Sequence, residues 1–161
     1  MDDIAALSQV SRRSIYRYFG TKEGIFFSNQ HERLEHFKAL VAAPEPGETA
    51  YETVRRACMV LAESFTEDRD AVLAQYQITD SAHSLMPLEF QMTRQWDDVM
   101  AEALGRDGVH DRRTCRAMSG AILGMIRAML RDWVEAHGEG NLKSEGEHFF
   151  DALERGFGLR G

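Results

Sequence analysis

Apolar residues recur along the chain at intervals of three and four positions, which is the spacing of one face of an α-helix. No stretch alternates apolar and polar residues for long enough to form a β-strand. The pattern therefore predicts an all-α fold. The predicted helices cover about 2–8, 11–18, 21–42, 50–65, 69–82, 88–104, 111–137 and 145–157.

Turn-forming residues separate these predicted helices. The segment 44–48 contains two prolines and a glycine, and Thr49 directly after it is a suitable N-cap. Gly105 and Gly108 are expected to end one later helix, and Gly138 and Gly140 another. Ser144 is the expected N-cap of the last helix.

The composition is that of an ordinary globular protein, with 161 residues, 43% hydrophobic and 28% charged, and a formal net charge of -7. No apolar run approaches the ~20 residues of a membrane span, and no signal-peptide pattern opens the chain. Cys58 and Cys115 lie far apart and outside any CxxC motif, so we expect buried apolar side chains rather than a disulfide or metal ligands. These features predict a cytoplasmic protein and give no reason to expect a cofactor.

The start of the chain differs in charge from the rest. Residues 10–22, V-S-R-R-S-I-Y-R-Y-F-G-T-K, contain four cations and no acid. In a helix over 11–18, one arc of about 140° is cationic, at 100° per residue. That arc presents Arg12, Arg13, Tyr16 and Arg17. Two short helices across a tight turn, the second one cationic, are typical of helix-turn-helix DNA binding, although three arginines alone could equally form a solvated surface.

The whole string D-I-A-x-x-x-x-V-S-x-x-S-I-Y-x-Y-F-x-T-K-E-x-I, from Asp3 to Ile25, resembles the DNA-binding segment of the TetR family of bacterial transcriptional regulators. The resemblance implies a helix-turn-helix DNA-binding unit in residues 1–24 and a helical effector-binding and dimerisation domain in residues 25–161. It also assigns DNA contacts, with Lys22 similar to the family's phosphate-contacting lysine and Arg17 joining on the cationic face. The predicted DNA-binding residues are Ser11, Arg12, Arg13, Ser14, Tyr16, Arg17 and Lys22.

Two features depart from the family pattern. Gln9 stands in the turn where the family usually has glycine, at an expected cost of ~1 kcal/mol if its φ is positive. The family's first helix would precede Asp2, so that helix is missing from the sequence or the DNA-binding unit is incomplete. We expect missing residues, because Ile15 and Phe19 would otherwise lose much of their cover.

A stripe of small residues runs along the helix predicted over 111–137. Glycine costs a helix about 1 kcal/mol relative to alanine, so a close packing partner is expected. In the resembled family the last two long helices form a four-helix bundle across a two-fold axis. The predicted dimer interface comprises Ala117, Gly120, Ala121, Gly124, Ala128, Phe149, Phe150, Leu153 and Phe157. The alternative is that the stripe packs inside the monomer.

A second arc of the same helix is rich in methionine and faces elsewhere. Methionine and aromatic side chains can line an adaptable apolar pocket, although they more often fill a core. The family resemblance favours a pocket for a small, largely apolar effector. Its predicted lining is Phe65, Tyr76, Met92, Trp96, Met100, Met118, Ile122, Met125 and Met129.

The sequence thus predicts a dimeric DNA-binding transcriptional regulator rather than an enzyme, with double-stranded DNA, a small effector and a second copy as partners. Repression of a pseudo-palindromic operator, relieved by the effector, is the default in this family. One alternative is a dimeric ligand- or partner-binding module that no longer binds DNA. A helical metal enzyme is the other, but the only Glu-x-x-His is Glu145–His148, with Asp80–His83 as a near miss. We therefore expect no metal site.

Overall fold

A computed structural model describes residues 22–80 and 86–157, and every regular element within these ranges is an α-helix. The predicted all-α fold is confirmed. The helices predicted over 2–8 and 11–18 lie outside the described residues. The six described helices are α1 (Lys22–Ala42), α2 (Ala50–Glu67), α3 (Arg69–Asp80), α4 (Met86–Leu104), α5 (Arg112–Glu135) and α6 (Leu142–Phe157).

Most predicted helix ends agree with the structure to within two or three residues. Thr49 caps α2 as predicted, in a capping box in which its side chain accepts a hydrogen bond from the Glu52 backbone N–H. The prediction for α6 was wrong at its start. Asn141 Oδ1 accepts a hydrogen bond from the Ser144 backbone N–H at 3.0 Å, so the helix begins at Leu142 and Ser144 lies in its first turn.

The main core lies where α1, α2, α4, α5 and α6 meet. Its central side chains are fully buried, among them Phe37 of α1, Val54 of α2, Met100 of α4 and Phe150 of α6. α5 packs against both α4 and α6, and α2 packs against α1, α4 and α6. The apolar periodicity that predicted the helices is therefore used mainly to enclose one core.

The two cysteines belong to this core. Cys58 and Cys115 are both buried free thiols, as predicted. Burial raises the pKa of the Cys58 thiol to about 12, and burial likewise raises the pKa of Cys115. Both side chains therefore fill space within the apolar core.

One end of the bundle is held by the loop after α4. Arg106 donates hydrogen bonds to the Val41 carbonyl at 2.8 Å and to Thr53 Oγ1 at 3.0 Å. Asp107 accepts from the Ala50 backbone N–H at 3.0 Å. These bonds fix the end of α1 and the beginning of α2 against the same loop.

A second, smaller cluster closes the other end of the bundle. Val72 of α3, Trp133 of α5 and Leu142 of α6 are its buried members. Arg69, at the start of α3, donates from Nε to the His137 carbonyl just after α5, at 3.0 Å. The cluster therefore joins α3 to the turn between α5 and α6.

No helix in the described part of the chain is both long and apolar enough to cross a membrane.

Candidate functional site

The predicted DNA-contacting residues stand at the beginning of the chain. Ser11, Arg12, Arg13, Ser14, Tyr16 and Arg17 lie outside them. Lys22 is the first residue of α1, which agrees with the prediction that it begins the helix after the helix-turn-helix unit. α1 therefore begins at the last residue of the basic segment 10–22.

The small-residue stripe on α5 faces away from the core. Ala117, Gly120 and Ala128 are exposed, and Ala121 and Gly124 are partly so. A Cβ atom built on Gly120 or Gly124 would meet nothing within 4 Å. Within the part of the chain that the structure describes, nothing therefore packs against the stripe at its two glycines.

The α6 residues predicted to join this interface separate into two groups. Phe149 is 42% exposed beside the α5 stripe, as an interface residue should be. Phe150 instead lies fully inside the core, where its carbonyl accepts a hydrogen bond from Tyr51 Oη at 2.9 Å. Leu153 packs against the same core, and the side chain of Phe157 lies outside the described set. Placing Phe150 in the interface was wrong, because successive helical positions point in directions about 100° apart.

An open groove of about 550 Å³ runs between α5 and α6, next to the stripe. Its apolar wall includes Met125, Met129 and Phe149. Asp132 and Glu145 place carboxylates along it, and the remaining lining residues are Ala128, Ser144 and His148. The stripe and this groove form one continuous surface through Ala128, which we call the α5–α6 face.

The nine residues predicted to line an effector pocket do not surround one cavity. Met100, Met118 and Ile122 are buried in the main core, and Trp96 packs against the Phe37 ring with centroids 5.3 Å apart. Met125 and Met129 line the open groove. The remaining positions are Met92, which is buried in α4, and Phe65 and Tyr76, which belong to the small cluster at the α3 end.

The small cluster places two polar groups in surroundings that the sequence did not predict. Trp133 is 2% exposed, and no described residue offers an acceptor to its Nε1–H. The Arg33 guanidinium lies 4.0 Å above the centroid of the Phe65 ring, and burial lowers the pKa of Arg33 from its usual value. The sequence places Trp133 on the methionine-rich arc of α5, but the lack of an acceptor for its N–H is a property of the packing.

The structure adds no further metal-ligating side chain to the candidate metal pairs among the residues it describes. Glu145 and His148 line the groove, and His83 lies outside the described residues. Among the residues described, no three His, Cys, Asp or Glu side chains are placed to hold one metal ion.

A family model matches the beginning of the chain. Residues 1–28 match the family described as bacterial regulatory proteins, tetR family. No curated protein matches the chain. The matched range contains the string from Asp3 to Ile25, so the resemblance to this family of DNA-binding transcriptional regulators is confirmed over these residues.

Proposed function

We propose that this protein is a dimeric transcriptional regulator that binds a pseudo-palindromic operator and leaves it when a small, largely apolar effector binds. The observation that carries the proposal is the family match over residues 1–28, which leads without interruption into α1. The open α5–α6 face supports the dimer, and the small cluster around Trp133 supports the effector. We propose repression rather than activation, because repression is the default in the resembled family.

DNA contact is assigned to the cationic residues of the matched segment. Arginine can donate two hydrogen bonds to a guanine edge, and hydroxyl groups and Lys22 can hold phosphates. The remainder of the chain is acidic, since the whole chain carries a net charge of -7. Attraction to DNA should therefore be concentrated in the first 22 residues and should weaken steeply as salt is added.

Arg13→Ala and Tyr16→Ala test this assignment. Each should weaken operator binding about 10-fold or more, because a specific side-chain contact to DNA is worth ~1–3 kcal/mol. The operator is first found by selecting genomic fragments with the purified protein, including any residues encoded before Met1. Fluorescence anisotropy at several salt concentrations then measures the affinity.

Arg94→Ala is the matched control, because Arg94 is an exposed arginine on α4 in the acidic remainder. Normal binding by both test variants would contradict the assigned face. If a folded dimer enriches no inverted repeat, the DNA-binding proposal fails. The alternative of a dimeric ligand-binding module then takes its place.

The dimer is assigned to the α5–α6 face. Its stripe has only small or absent side chains and no partner within the described chain, so a second helix can approach closely. A two-fold arrangement would present two recognition helices to successive major grooves about 34 Å apart. Such a dimer reads an inverted repeat.

The effector is assigned to the small cluster at the α3 end. A buried N–H without an acceptor costs ~1–3 kcal/mol, so Trp133 gains stability from any ligand that brings an acceptor. Phe65 and Tyr76, two of the predicted pocket residues, share this cluster, and Arg33 covers the Phe65 ring. The expected effector is therefore a small, mostly apolar molecule with at least one hydrogen-bond acceptor.

Trp133→Phe tests the effector site, because it removes the donor but keeps an aromatic ring. Once a library screen has found a compound that releases the operator, this variant should need about 10-fold more of it, as expected for one lost hydrogen bond. Trp96→Phe makes the same substitution in the main core and is the control. Equal effector sensitivity of the two variants would place the effector elsewhere.

A further inference from the structure

The exposed side of the α5 helix carries an arginine near its first residue and a glutamate at its last. Arg113 lies in the first turn and Glu135 is the last residue of the helix, and both are exposed. At 100° per residue, each lies within about 20° of Gly124 around the helix axis. The three residues therefore form one line along the surface that the small-residue stripe occupies.

Gly124 lies midway between the two charges. Eleven positions separate it from each, which is about 16 Å at 1.5 Å per residue. Neither Arg113 nor Glu135 makes an ion pair with another residue that the structure describes. Arg131, which is exposed and also within about 20° of Gly124, is the third charge on this line. A two-fold rotation at Gly124 brings Arg113 opposite Glu135 and brings Arg131 opposite the small Ala117.

We propose that two copies of α5 cross in antiparallel directions at Gly124, with Arg113 of each copy opposite Glu135 of the partner subunit. This inference rests on the proposed dimer and adds its register and direction. A symmetric interface brings residue i against residue j twice, so the dimer gains two ion pairs. A parallel crossing would instead place Arg113 against Arg113 and Glu135 against Glu135, which is repulsive twice.

The small residues between the charges allow the close approach that this register needs. Gly124 meets its own copy at the axis, where a Cβ atom has open space in the monomer. Arg131 comes to lie opposite Ala117 of the partner subunit, whose small side chain leaves room for a long one. The second copy is therefore the occupant that fits this face in both shape and charge.

Charge reversal at the two ends provides the test, with dimerisation measured by analytical ultracentrifugation. Arg113→Glu places an acid opposite each Glu135 of the dimer, and Glu135→Arg places a base opposite each Arg113. The dimer dissociation constant of each variant alone should therefore rise about 10-fold or more. In an equimolar mixture of the two variants, the heterodimer has only opposite charges in contact. The mixture should therefore dimerise nearly as tightly as the unmodified chain.

Arg94→Glu on α4 is the control for a general effect of added negative charge, and it should dimerise normally. A mixture that stays as dissociated as its components, while the unmodified chain is dimeric, overturns the register and leaves the proposed regulator standing. An unmodified chain that is monomeric overturns the proposed dimer and the register together.

Gly124→Cys is an independent measurement that does not depend on charge. A residue on the two-fold axis meets its own copy within the ~7 Å between Cα atoms that a disulfide needs, so this variant should form a covalent dimer under mild oxidation. Ala39→Cys on the exposed side of α1 is the control and should stay uncoupled. Equal cross-linking at both positions would overturn the crossing point.

Discussion

At the scale of single residues, Glu48 shows how one carboxylate can organise a loop. Its oxygens accept hydrogen bonds from Arg56 Nε at 2.7 Å, from Thr53 Oγ1 at 3.0 Å and from the Glu45 backbone N–H at 2.8 Å. These bonds, above all the one from Arg56, lower the pKa of Glu48 to about 2. The loop between α1 and α2 is thereby fixed to the α2 helix.

We expect Glu48→Gln to lower the free energy of unfolding by about 1 kcal/mol at pH 7, because it removes the ionised acceptor. The ionised carboxylate stabilises the fold fully above the ordinary glutamate pKa of 4.5, and this contribution is lost as pH falls toward 2. The difference between the two proteins should therefore shrink between about pH 5 and pH 3. Urea unfolding at several pH values measures it.

Glu45→Gln is the control, since the Glu45 carboxylate is 3.9 Å from Arg56 and mostly exposed. An equal loss of stability in both variants would contradict the role given to Glu48. The sequence predicted the neighbouring cap at Thr49 because capping is local. It could not predict the Glu48 contacts, because they depend on how the turn after α1 folds back.

At the scale of elements, the end of α5 depends on a residue far away in sequence. Gly138 has a φ of +75°, and a Cβ atom there would lie 2.5 Å from Arg69 Nε. Arg69 occupies that space because it donates to the His137 carbonyl. Glycine at 138 is thus required both by backbone conformation and by the close approach of α3.

Gly138→Ala should lower the free energy of unfolding by about 2 kcal/mol, from the strained φ and the displaced arginine together. Gly108→Ala is the control, because Gly108 has a similar φ of +70° but nothing within 4 Å of its would-be Cβ atom. That variant should lose about 1 kcal/mol. Chemical denaturation compares the two, and an equal loss would show that the Arg69 contact contributes nothing.

The helix ends at Gly105 and near Gly138 were predictable, because glycine marks a helix end locally. The contact of Arg69 with the second of these helix ends was not predictable, since Arg69 is 68 positions from His137. The same distinction between local and long-range signals explains why Phe150 was wrongly predicted to lie in the dimer interface. Periodicity identified an apolar residue on α6, but only the packing of α2 against α6 decides that it faces Tyr51 and not the surface.

At the scale of the whole molecule, the apolar pattern alone does not tell which apolar side chains fill the core and which lie on the α5–α6 face. The small residues are exposed, while most of the methionines predicted to line a pocket fill the interior. Periodicity identifies which residues turn inward, but it cannot tell a filled interior from a cavity, because both need the same apolar faces. The small-residue stripe on α5 was easier to single out, since glycines within a helix are costly without a packing reason.

Gly124→Leu should abolish dimerisation without lowering the melting temperature of the monomer. The added side chain enters open space in the monomer and replaces a poor helix former, but it blocks the approach of a second helix. Size-exclusion chromatography with light scattering measures the first effect, and thermal unfolding the second. Ala39→Leu on α1 should leave assembly unchanged, and a normal dimer from Gly124→Leu would place the interface elsewhere.

The way α1 is held has a mechanical consequence. Among the α1 side chains that the structure describes, from residue 29 on, the buried ones are Leu34, Phe37 and Val41. The Val41 carbonyl in the last turn accepts a hydrogen bond from Arg106. The helix has 21 residues and is about 31 Å long, and the Arg106 contact lies near its C-terminal end. A tilt of α1 by about 6° about that end moves Lys22 by ~3 Å. A slight rearrangement around Leu34 and Val41 would therefore be amplified at Lys22, the first residue of α1.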